Sequence, residues 1–330
     1  MPRKRKIPKK IPENREERVR MTLEKQQYGF AGEHSACKIC SYTKKSIKDE
    51  DICYKEKFYG IRCHLCCQMT PIMVCNNRCI FCWRDTSAHT SIKVKCKLDE
   101  PKKIIDDCIK MQKRLLSGLG GYGGTNIKKW KDSFSPKHFA ISLTGEPTLY
   151  PKLNELIKEI HKRGCTSFLV TNGLMPQVIK KLEQPTQLYV SVDAPNEKLF
   201  RKIDNSLLKD GWQRLMKTLK LLPELAKKNK KARNTLRFTI IKGLNDRYPE
   251  QWAEIIKISK PMFVEVKAYM WVGYSRQRMK IEHMPRHPEI VAFAKKICKY
   301  SEYKIIDDKK ESRVVLLMKK DRKDRIMKFD

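Results

Sequence analysis

Three cysteines stand close together before the middle of the chain, at Cys75, Cys79 and Cys82. The spacing Cys-x3-Cys-x2-Cys lets a single loop wrap three thiolates around one metal centre. Thiolates hold iron–sulfur clusters, and a cubane has four irons, so three cysteines leave one iron without a protein ligand. Such an iron can bind a small molecule, and Phe81 and Trp83 could shield the cluster from water. The triplet therefore predicts an open 4Fe–4S centre, with zinc on the same thiolates as the alternative.

Six more cysteines precede this triplet in a short stretch of sequence. The pairs Cys37-x2-Cys40 and Cys63-x2-Cys66 resemble the two knuckles of a zinc ribbon, whereas Cys40, Cys53 and Cys66 form an evenly spaced trio. Nothing in the sequence indicates export, where such a density would mean disulfides. The pattern indicates metal or cluster binding in a reducing, cytosolic compartment. Four cysteines are isolated, and we expect them to be ordinary buried residues: Cys96, Cys108, Cys165 and Cys298.

The chain carries a large positive charge. Its 330 residues include 72 Lys and Arg against 37 Asp and Glu, a net charge of +35. A field of this size attracts phosphate backbones, although a lysine-rich genome would also produce it. No run approaches the roughly 20 apolar residues of a membrane span, and the basic residues 1–10 lack the apolar segment of a secretory signal. We therefore expect a cytoplasmic protein that binds nucleic acid, with a disordered basic tail.

Helical and strand-like segments alternate from about residue 99 onward. Strands are predicted at residues 138–143, 166–170, 188–192, 236–241, 263–268 and 314–318. Helices are predicted at residues 101–116, 153–163, 175–182, 207–228, 248–259 and 288–300. The alternation implies parallel strands with right-handed crossovers, in about six repeats rather than the eight of a full barrel. We expect an α/β fold, a partial (β/α)6 barrel, with functional residues at the carboxyl ends of its strands.

The sequence divides into three predicted zones. Residues 1–30 form the basic tail and a lead-in helix. Residues 31–74 form a loop-rich, cysteine-rich segment. Residues 75–330 form the partial barrel with a C-terminal extension.

Short polar motifs follow three of the predicted strands. In chain order they are Thr144-Gly145-Glu146, Thr171-Asn172 and Ser191-Val-Asp193. A simple turn explains any one of them, but all three come in order after a cysteine triplet. Together they resemble the radical S-adenosylmethionine superfamily, with Thr144 in place of the first glycine of its Gly-Gly-Glu element. The resemblance implies that S-adenosylmethionine binds the open iron and that these residues contact it, with Glu146 on its ammonium group.

A longer resemblance covers most of the chain. It is carried by Cys53-Tyr-Lys-Glu-Lys-Phe-Tyr-Gly60, Ile141-Ser-Leu-Thr-Gly-Glu-Pro-Thr-Leu-Tyr-Pro151, Val190-Ser-Val-Asp-Ala194 and Val266-Lys-Ala-Tyr-Met-Trp-Val-Gly-Tyr-Ser275. These segments resemble the 4-demethylwyosine synthases, the radical enzymes of wyosine biosynthesis, in their stand-alone archaeal form. The resemblance implies a lyase or synthase that condenses N1-methylguanosine beside the anticodon of transfer RNA with carbons of pyruvate.

The same resemblance assigns the upstream cysteines. Cys40, Cys53 and Cys66 would hold a second 4Fe–4S cluster, whose open iron could anchor an α-keto acid. The extra thiols form a rival set for this cluster: Cys37, Cys63 and Cys67. Lys55 lies where the family carries the lysine thought to form a Schiff base with pyruvate. A solvated surface role is the default for a lysine, but a desolvated amine has a lowered pKa and can attack a ketone.

The implied partners follow from this reaction. They are the anticodon region of phenylalanine tRNA, pyruvate and an external electron donor. We expect no association with a membrane, and we expect the enzyme to be a monomer. The base would be extruded from its stack, and basic side chains would hold the tRNA. We expect these contacts from the tail and from Arg84, Lys267, Arg276 and Arg278. Trp271 or Tyr274 could stack on a base, or both could be core residues.

Two other functions compete with this one. The first is another radical S-adenosylmethionine enzyme, which methylthiolates or methylates tRNA or activates a glycyl-radical partner. The second is a zinc-ribbon protein that binds RNA without catalysis. The Cys-Tyr-Lys-x2-Phe-Tyr-Gly segment argues against the first, and a brown, oxygen-sensitive protein would exclude the second.

Overall fold

Ten strands form one continuous sheet in the computed structural model, which describes residues 15–86, 90–94 and 96–329. In chain order they are β1 (Gly29–Phe30), β2 (Ala36–Lys38), β3 (Cys66–Thr70), β4 (His138–Ile141), β5 (Thr166–Thr171), β6 (Gln187–Val192), β7 (Asn234–Ile240), β8 (Phe263–Ala268), β9 (Lys304–Lys309) and β10 (Val314–Met318). Their order across the sheet follows the chain, except that β10 lies between β8 and β9.

Six strands, β3 to β8, run parallel to one another. Parallel strands need long crossover connections, and helices or helical segments supply them between successive strands. The six parallel strands confirm the predicted partial (β/α)6 barrel. Five of them, β4 to β8, fall at the predicted positions, whereas β3 lies in the segment predicted to be loop-rich.

Eleven α-helices accompany the strands in the described part of the chain. They are α1 (Arg15–Lys25), α2 (Ser41–Ile47), α3 (Tyr54–Tyr59), α4 (Pro101–Leu116), α5 (Ile127–Asp132), α6 (Leu153–Lys162), α7 (Pro176–Lys180), α8 (Glu197–Ile203), α9 (Gly211–Lys228), α10 (Pro249–Ser259) and α11 (His287–Lys299). The longer helices are amphipathic and bury one apolar face. Leu156 and Ile157 of α6, for example, join Val190 and Leu236 of the sheet in the largest core.

The C-terminal strands differ from the expected parallel pattern. The predicted strand at residues 314–318 is present as β10, but it runs antiparallel to β8 and to β9. A short turn, with Arg313 at φ 48°, joins β9 directly to β10. Two strands joined by a tight turn pair antiparallel, so this hairpin closes the edge of the sheet next to β8.

The cysteine-rich segment is more ordered than the sequence indicates. It contains the short strand β2, the helices α2 and α3, and β3, which is the first parallel strand, while β1 lies just before it. The division at residues 30 and 74 stays a prediction, and the basic tail over residues 1–14 lies outside the described residues. Across the described ranges, no helix is both long and apolar enough to cross a membrane.

Candidate active site

Two cavities lie on the inner side of the barrel sheet. The triplet cavity has a volume of about 260 Å³ and is lined by the three cysteines of the triplet and by residues at the carboxyl ends of β4 to β7. The lysine cavity, about 450 Å³, is lined by Lys55 and the upstream cysteines. Because successive residues of a strand point to opposite faces, alternate strand residues line these cavities while their neighbours pack in the outer core. On β7, for example, Arg237 and Thr239 face the triplet cavity, and Phe238 packs outward.

The triplet loop brings its three thiols to one cavity, as its spacing predicts. Cys75, Cys79 and Cys82 all line the triplet cavity, together with Phe81 and Trp83. Burial raises the pKa of the Cys75 thiol to about 12 and raises the pKa of the Cys79 thiol well above its usual value. A buried neutral thiol loses its proton when a metal binds it. The donor set therefore fits a cluster held by three thiolates.

Backbone hydrogen bonds hold this loop against the segment that follows α8. The Ile80 amide donates to the Ile203 carbonyl at 2.9 Å, and the Arg78 amide donates to the Asp204 carbonyl at 3.1 Å. From the other side, the Leu207 amide donates to the Asn76 carbonyl at 2.9 Å. The loop is thus fixed at several points along its length.

Glu146 organises the strand ends around the triplet cavity. Its carboxylate is buried, and its Oε1 accepts from the hydroxyls of Thr148 and Thr171, each at 2.6 Å. Its Oε2 accepts from the Asn172 amide at 2.8 Å. Burial raises the pKa of Glu146 above its usual value, and these hydrogen bonds offset part of that rise. Gly145 before it has φ 72°, and a Cβ there would lie 2.1 Å from the Ile72 carbonyl oxygen, so this position requires glycine.

Several buried polar atoms of the triplet cavity have no hydrogen-bond partner within the described residues. They are Thr144 Oγ1, both side-chain polar atoms of Asn77, Asp193 Oδ1 and Asp204 Oδ2. Buried polar groups are normally hydrogen-bonded, so their convergence on one cavity fits a polar ligand. Burial raises the pKa of Asp193 to about 6. Ser191, the remaining predicted contact, also lines this cavity.

Sequence reasoning missed Asp204. It lines the triplet cavity, and the Cys79 thiol donates to its Oδ1 across 3.6 Å. Burial and the charge of Asp193 raise the pKa of Asp204 well above its usual value. No strand-end motif marks this residue, because it follows α8 and reaches the cavity only through the packing of the triplet loop.

The lysine cavity gathers the upstream trio. Cys40, Cys53 and Cys66 line it, as does Cys63. A hydrogen bond from the Cys63 thiol lowers the pKa of Cys53 to about 7. Burial raises the pKa of Cys66 to about 12. Three thiols around one cavity fit the donor set of a second cluster, with Cys63 as a fourth thiol beside them.

Cys37 and Cys67 of the rival set point elsewhere. Both belong to the main hydrophobic core, and the Cys37 thiol donates to the Cys108 carbonyl at 3.6 Å. Cys37 and Cys40 are therefore on different sides of the sheet edge and do not form the zinc knuckle that their spacing resembles. In the part of the chain that the structure describes, no three His, Cys, Asp or Glu side chains form a site for a single metal ion. A cubane does not require such a site, because it holds its thiolates at separate corners.

Lys55 is positioned by the helix that carries it. Helix α3 begins after Cys53, whose sulfur accepts from the Lys55 amide at 3.5 Å. The Lys55 ammonium lies 4.4 Å from the ring centroid of Tyr189 and 5.6 Å from that of Phe168. The side chain is buried, so the default surface role does not apply. Burial, and then the charge of Arg237, lowers the pKa of Lys55.

A polar network that the sequence did not reveal lies beneath the lysine cavity. The buried Glu265 accepts from Tyr54 at 3.1 Å, from Tyr59 at 2.8 Å and from Arg237 Nε at 3.2 Å. Ser142 and Arg237 line both cavities and so form part of the wall between them. The periodicity of β7 and β8 gives no sign of this network, since a charged residue in an apolar strand can also face solvent.

Some of the side chains expected to contact RNA remain exposed, whereas others are held in contacts within the protein. Arg276 is exposed, and its guanidinium lies 4.7 Å from the Trp271 ring centroid. Trp271 Nε1 donates to the Met279 carbonyl at 2.8 Å, which gives this ring a structural role. Arg84 lines the triplet cavity and donates to the Leu143 carbonyl. Lys267 lines the lysine cavity rather than the surface.

The remaining two expected RNA contacts hold the triplet loop. Arg278 donates to its carbonyl oxygens, and the Tyr274 amide donates to the Trp83 carbonyl at 2.9 Å.

Two family models match the sequence: the radical SAM superfamily over residues 69–256 and wyosine base formation over residues 258–319. The S-adenosyl-L-methionine-dependent tRNA 4-demethylwyosine synthase of Pyrococcus abyssi is 43% identical over 93% of this chain and 90% of its own length. The enzyme of the same name from Methanocaldococcus jannaschii is 42% identical over 93% of this chain and 97% of its own length.

Solved structures give the same similarity. A structure of TYW1 with a lysine–pyruvate adduct bound superimposes with a TM-score of 0.84, at 39% identity over 96% of this chain and 99% of that one. A crystal structure of archaeal TYW1 superimposes with a TM-score of 0.75, at 36% identity over 94% of this chain and 97% of that one.

Proposed function

The chain belongs to the family of S-adenosyl-L-methionine-dependent tRNA 4-demethylwyosine synthases, within the radical SAM superfamily, and we propose that its two cavities divide the reaction of this family between them. It is a tRNA-modifying radical enzyme of wyosine formation. Its superfamily uses a 4Fe–4S cluster and S-adenosylmethionine, which when bound supply an electron and the source of a carbon radical. The observation that carries the proposal is the wall that the triplet and lysine cavities share.

The triplet cavity is the proposed site of radical formation. Cys75, Cys79 and Cys82 would hold the cluster. The residues at the strand ends would hold S-adenosylmethionine: Thr144, Gly145, Glu146, Thr171, Asn172, Ser191 and Asp193. Their carboxylates suit an ammonium group through charge-assisted hydrogen bonds, and the unpartnered hydroxyl and carboxylate oxygens suit ribose hydroxyls.

The lysine cavity is the proposed site of the co-substrate. Cys40, Cys53 and Cys66 would hold the second cluster there, because these three thiols share the cavity while Cys37 and Cys67 are in the core. The volume of about 450 Å³ leaves room for a cluster beside a small keto acid. Pyruvate is the proposed keto acid, as in the related TYW1 structure with its lysine–pyruvate adduct.

Lys55 is the proposed nucleophile. Its amine nitrogen would bond to the keto carbon of pyruvate, and the keto oxygen would leave as water, which gives an imine. Tyr189 and Phe168 flank the nitrogen, and it forms no ion pair with any described residue, so the amine is not held by a carboxylate. The imine would then present the keto carbon close to the wall formed by Ser142 and Arg237, where the carbon radical would arrive from the triplet cavity.

The base to be modified must reach the triplet cavity. We propose that N1-methylguanosine beside the anticodon leaves its stack, at a cost of a few kcal/mol. Contacts of basic side chains with phosphates offset this cost, and the net charge of +35 favours them. Arg276 is the expected contact that remains exposed without holding the triplet loop.

The experiment that tests the proposal traps the imine. The anaerobically purified enzyme is incubated with labelled pyruvate and sodium cyanoborohydride, digested, and analysed by mass spectrometry. We expect the label on Lys55. Lys45→Ala is the matched control, because Lys45 also lines the lysine cavity but is 45% exposed and paired with Asp51.

The variant Lys55→Ala separates the two cavities. It should still cleave S-adenosylmethionine, because the triplet cavity is intact, but it should not form the tricyclic base. Label on a lysine other than Lys55, or a normal rate of tricyclic product in Lys55→Ala, would contradict the proposal.

A further inference from the structure

Lys267 lines the lysine cavity together with Lys55 and the more exposed Lys45. It lies on β8, two residues after the buried Glu265. Its Nζ donates to the Ser312 carbonyl at 2.8 Å and lies 4.9 Å from the ring centroid of Tyr54. These two contacts hold the ammonium group at one place in the cavity wall. They leave two of its three N–H donors for a ligand.

The other cations of the cavity wall, apart from Lys55, each have a carboxylate partner. Arg237 is paired with Glu265, and Lys45 is paired with Asp51. Glu311 also lines the cavity, but it is 56% exposed and pairs with Lys309. Lys267 itself forms no ion pair with any residue that the structure describes. A cation in a low-dielectric cavity is costly without a counterion, so an anionic ligand would be stabilised here.

The chemistry proposed for Lys55 brings such an anion into the cavity. In an α-keto acid, the carboxylate is bonded directly to the keto carbon. When Lys55 attacks that carbon, the carboxylate must lie within a few ångströms of the new bond, in the cavity that Lys267 lines. Arg237 is engaged by Glu265 and by the Tyr54 hydroxyl, and Lys45 by Asp51. Apart from the reacting Lys55, Lys267 is therefore the basic side chain of the cavity wall without a carboxylate partner among the described residues.

We propose that Lys267 binds the carboxylate of the keto acid that reacts with Lys55, and that this contact makes the cavity selective for α-keto acids over neutral ketones and esters. The proposal rests on the function proposed for Lys55. It assigns different tasks to Lys55 and Lys267. Lys55 forms the covalent bond, and Lys267 recognises the charge through a charge-assisted hydrogen bond.

The test compares a charged ligand with its neutral ester. Cyanoborohydride trapping at Lys55 is measured against the concentration of pyruvate and, separately, of methyl pyruvate. In Lys267→Met, the half-saturating concentration of pyruvate should rise about 10-fold to 100-fold, the loss expected for a hydrogen bond to a charged group. That of methyl pyruvate should stay within about twofold, because the ester presents no carboxylate to Lys267. Lys267→Arg should recover part of the affinity for pyruvate, and Lys45→Met should change neither ligand.

The outcomes distinguish this inference from the function on which it rests. Equal shifts for pyruvate and methyl pyruvate in Lys267→Met, or no shift for either, would overturn the role in carboxylate binding. A fall in tRNA affinity with unchanged trapping would make Lys267 an RNA contact instead and would also overturn it. If wild-type enzyme traps no pyruvate at Lys55, the proposed function fails. Reversible binding of pyruvate to Lys55→Ala, with and without Lys267→Met, then still decides whether Lys267 binds the carboxylate.

Discussion

Arg278 donates a hydrogen bond from Nε to the carbonyl oxygen of Ile80 at 3.1 Å, which ties the C-terminal part of the chain to the triplet loop. Its Nη2 donates to the same loop, with a hydrogen bond to the Arg84 carbonyl at 3.3 Å and one to the Cys82 carbonyl. The contact joins two regions that match different family models, the radical SAM superfamily and wyosine base formation. The region specific to wyosine formation therefore helps to hold the loop that carries the triplet.

The first prediction concerns this contact. Arg278→Ala should loosen the triplet loop, because hydrogen bonds from a charged group typically contribute about 1.5–3 kcal/mol and this exposed side chain is expected to give the lower part of that range. Hydrogen–deuterium exchange at the amides of Ile80 and Cys82 should become several-fold faster. The reduction potential of the cluster should also become more negative, because a nearby positive charge stabilises the reduced form.

Arg276→Ala is the control for this prediction. Arg276 lies two residues away and is also exposed, but it contacts Trp271 rather than the triplet loop. Arg278→Lys should keep the potential close to that of the wild type while exchange stays fast, since a lysine keeps the charge and loses the guanidinium fork. Equal effects of the Arg276 and Arg278 variants would contradict the assignment.

The second prediction concerns the triplet itself. Cys79→Ala should lower the iron content from about eight to about four per chain, if both clusters fill, and should abolish formation of 5′-deoxyadenosine. Cys165→Ala should change neither quantity, because Cys165 lies outside both cavities. Iron analysis and chromatography of the nucleoside products measure the two effects. Normal turnover by Cys79→Ala would remove the triplet from the mechanism.

The third prediction separates the two sets of upstream cysteines. Cys66→Ala should lose the second cluster and keep the first, whereas Cys67→Ala should keep both. Cys66 lines the lysine cavity, but its neighbour Cys67 points into the main core. The absorbance of the cluster and the iron content measure the result. Retention of the second cluster in Cys66→Ala, together with its loss in Cys63→Ala, would show that Cys63 is the third ligand.

The parts of the fold that the sequence predicts are those with a strong local signal. The strands β5, β6 and β8 are short segments rich in β-branched and aromatic residues, and the predicted ranges agree with the observed ones to within a residue or so. The long helix predicted from residue 207 begins at Gly211 as α9, and the short α8 before it was not predicted. Short elements such as α2, α3 and β3 contain too few residues to show a clear periodic pattern. Packing on the barrel, rather than a local signal, stabilises them.

The fourth prediction concerns the pair formed by the buried Glu265 and the partly buried Arg237. Glu265→Ala should lower the free energy of unfolding by about 3–5 kcal/mol, because it leaves a guanidinium that is only 18% exposed without its partner. The double variant Glu265→Met/Arg237→Met should recover part of this loss, since both charges are then removed. Chemical denaturation of each variant measures the effect. Glu197→Ala removes an exposed pair with Arg201 and should cost less than about 1 kcal/mol, so a similar cost at Glu265 would contradict the prediction.

The site shows the same limit of sequence reasoning as the fold. The triplet and the strand-end motifs could be predicted, because their spacing along the chain or their place after a strand puts them at one edge of the barrel. Asp204, Arg237 and Glu265 could not, because each reaches its cavity through long-range packing that leaves no local pattern. We expected Arg278 to contact RNA, but its guanidinium binds backbone carbonyls of the triplet loop. Nothing in the sequence distinguishes such an arginine from one that faces solvent.

The last prediction concerns His138 at the start of β4. Its side chain is buried, its Nδ1 lies 2.8 Å from the Thr166 hydroxyl, and its ring centroid is 4.6 Å from that of Phe329. Burial, and then the charge of Arg62, lowers the pKa of His138 to about 4, from 6.5 in an unperturbed histidine. As the pH falls through 6.5, the unfolded chain therefore binds a proton at this residue while the folded chain does not. Folding stability must then decrease with falling pH until the folded histidine titrates near 4.

The expected size of this effect follows from the two pKa values. Between pH 7.5 and pH 5.5, His138 should cost the folded state about 1 kcal/mol. His138→Asn has no group that titrates in this range, so its free energy of unfolding should fall by about 1 kcal/mol less than that of the wild type over the same interval. Urea denaturation of both proteins at the two pH values under anaerobic conditions measures the difference. Equal losses in wild type and variant would show that His138 is protonated in the folded protein, and the buried, neutral state assigned to it would be wrong.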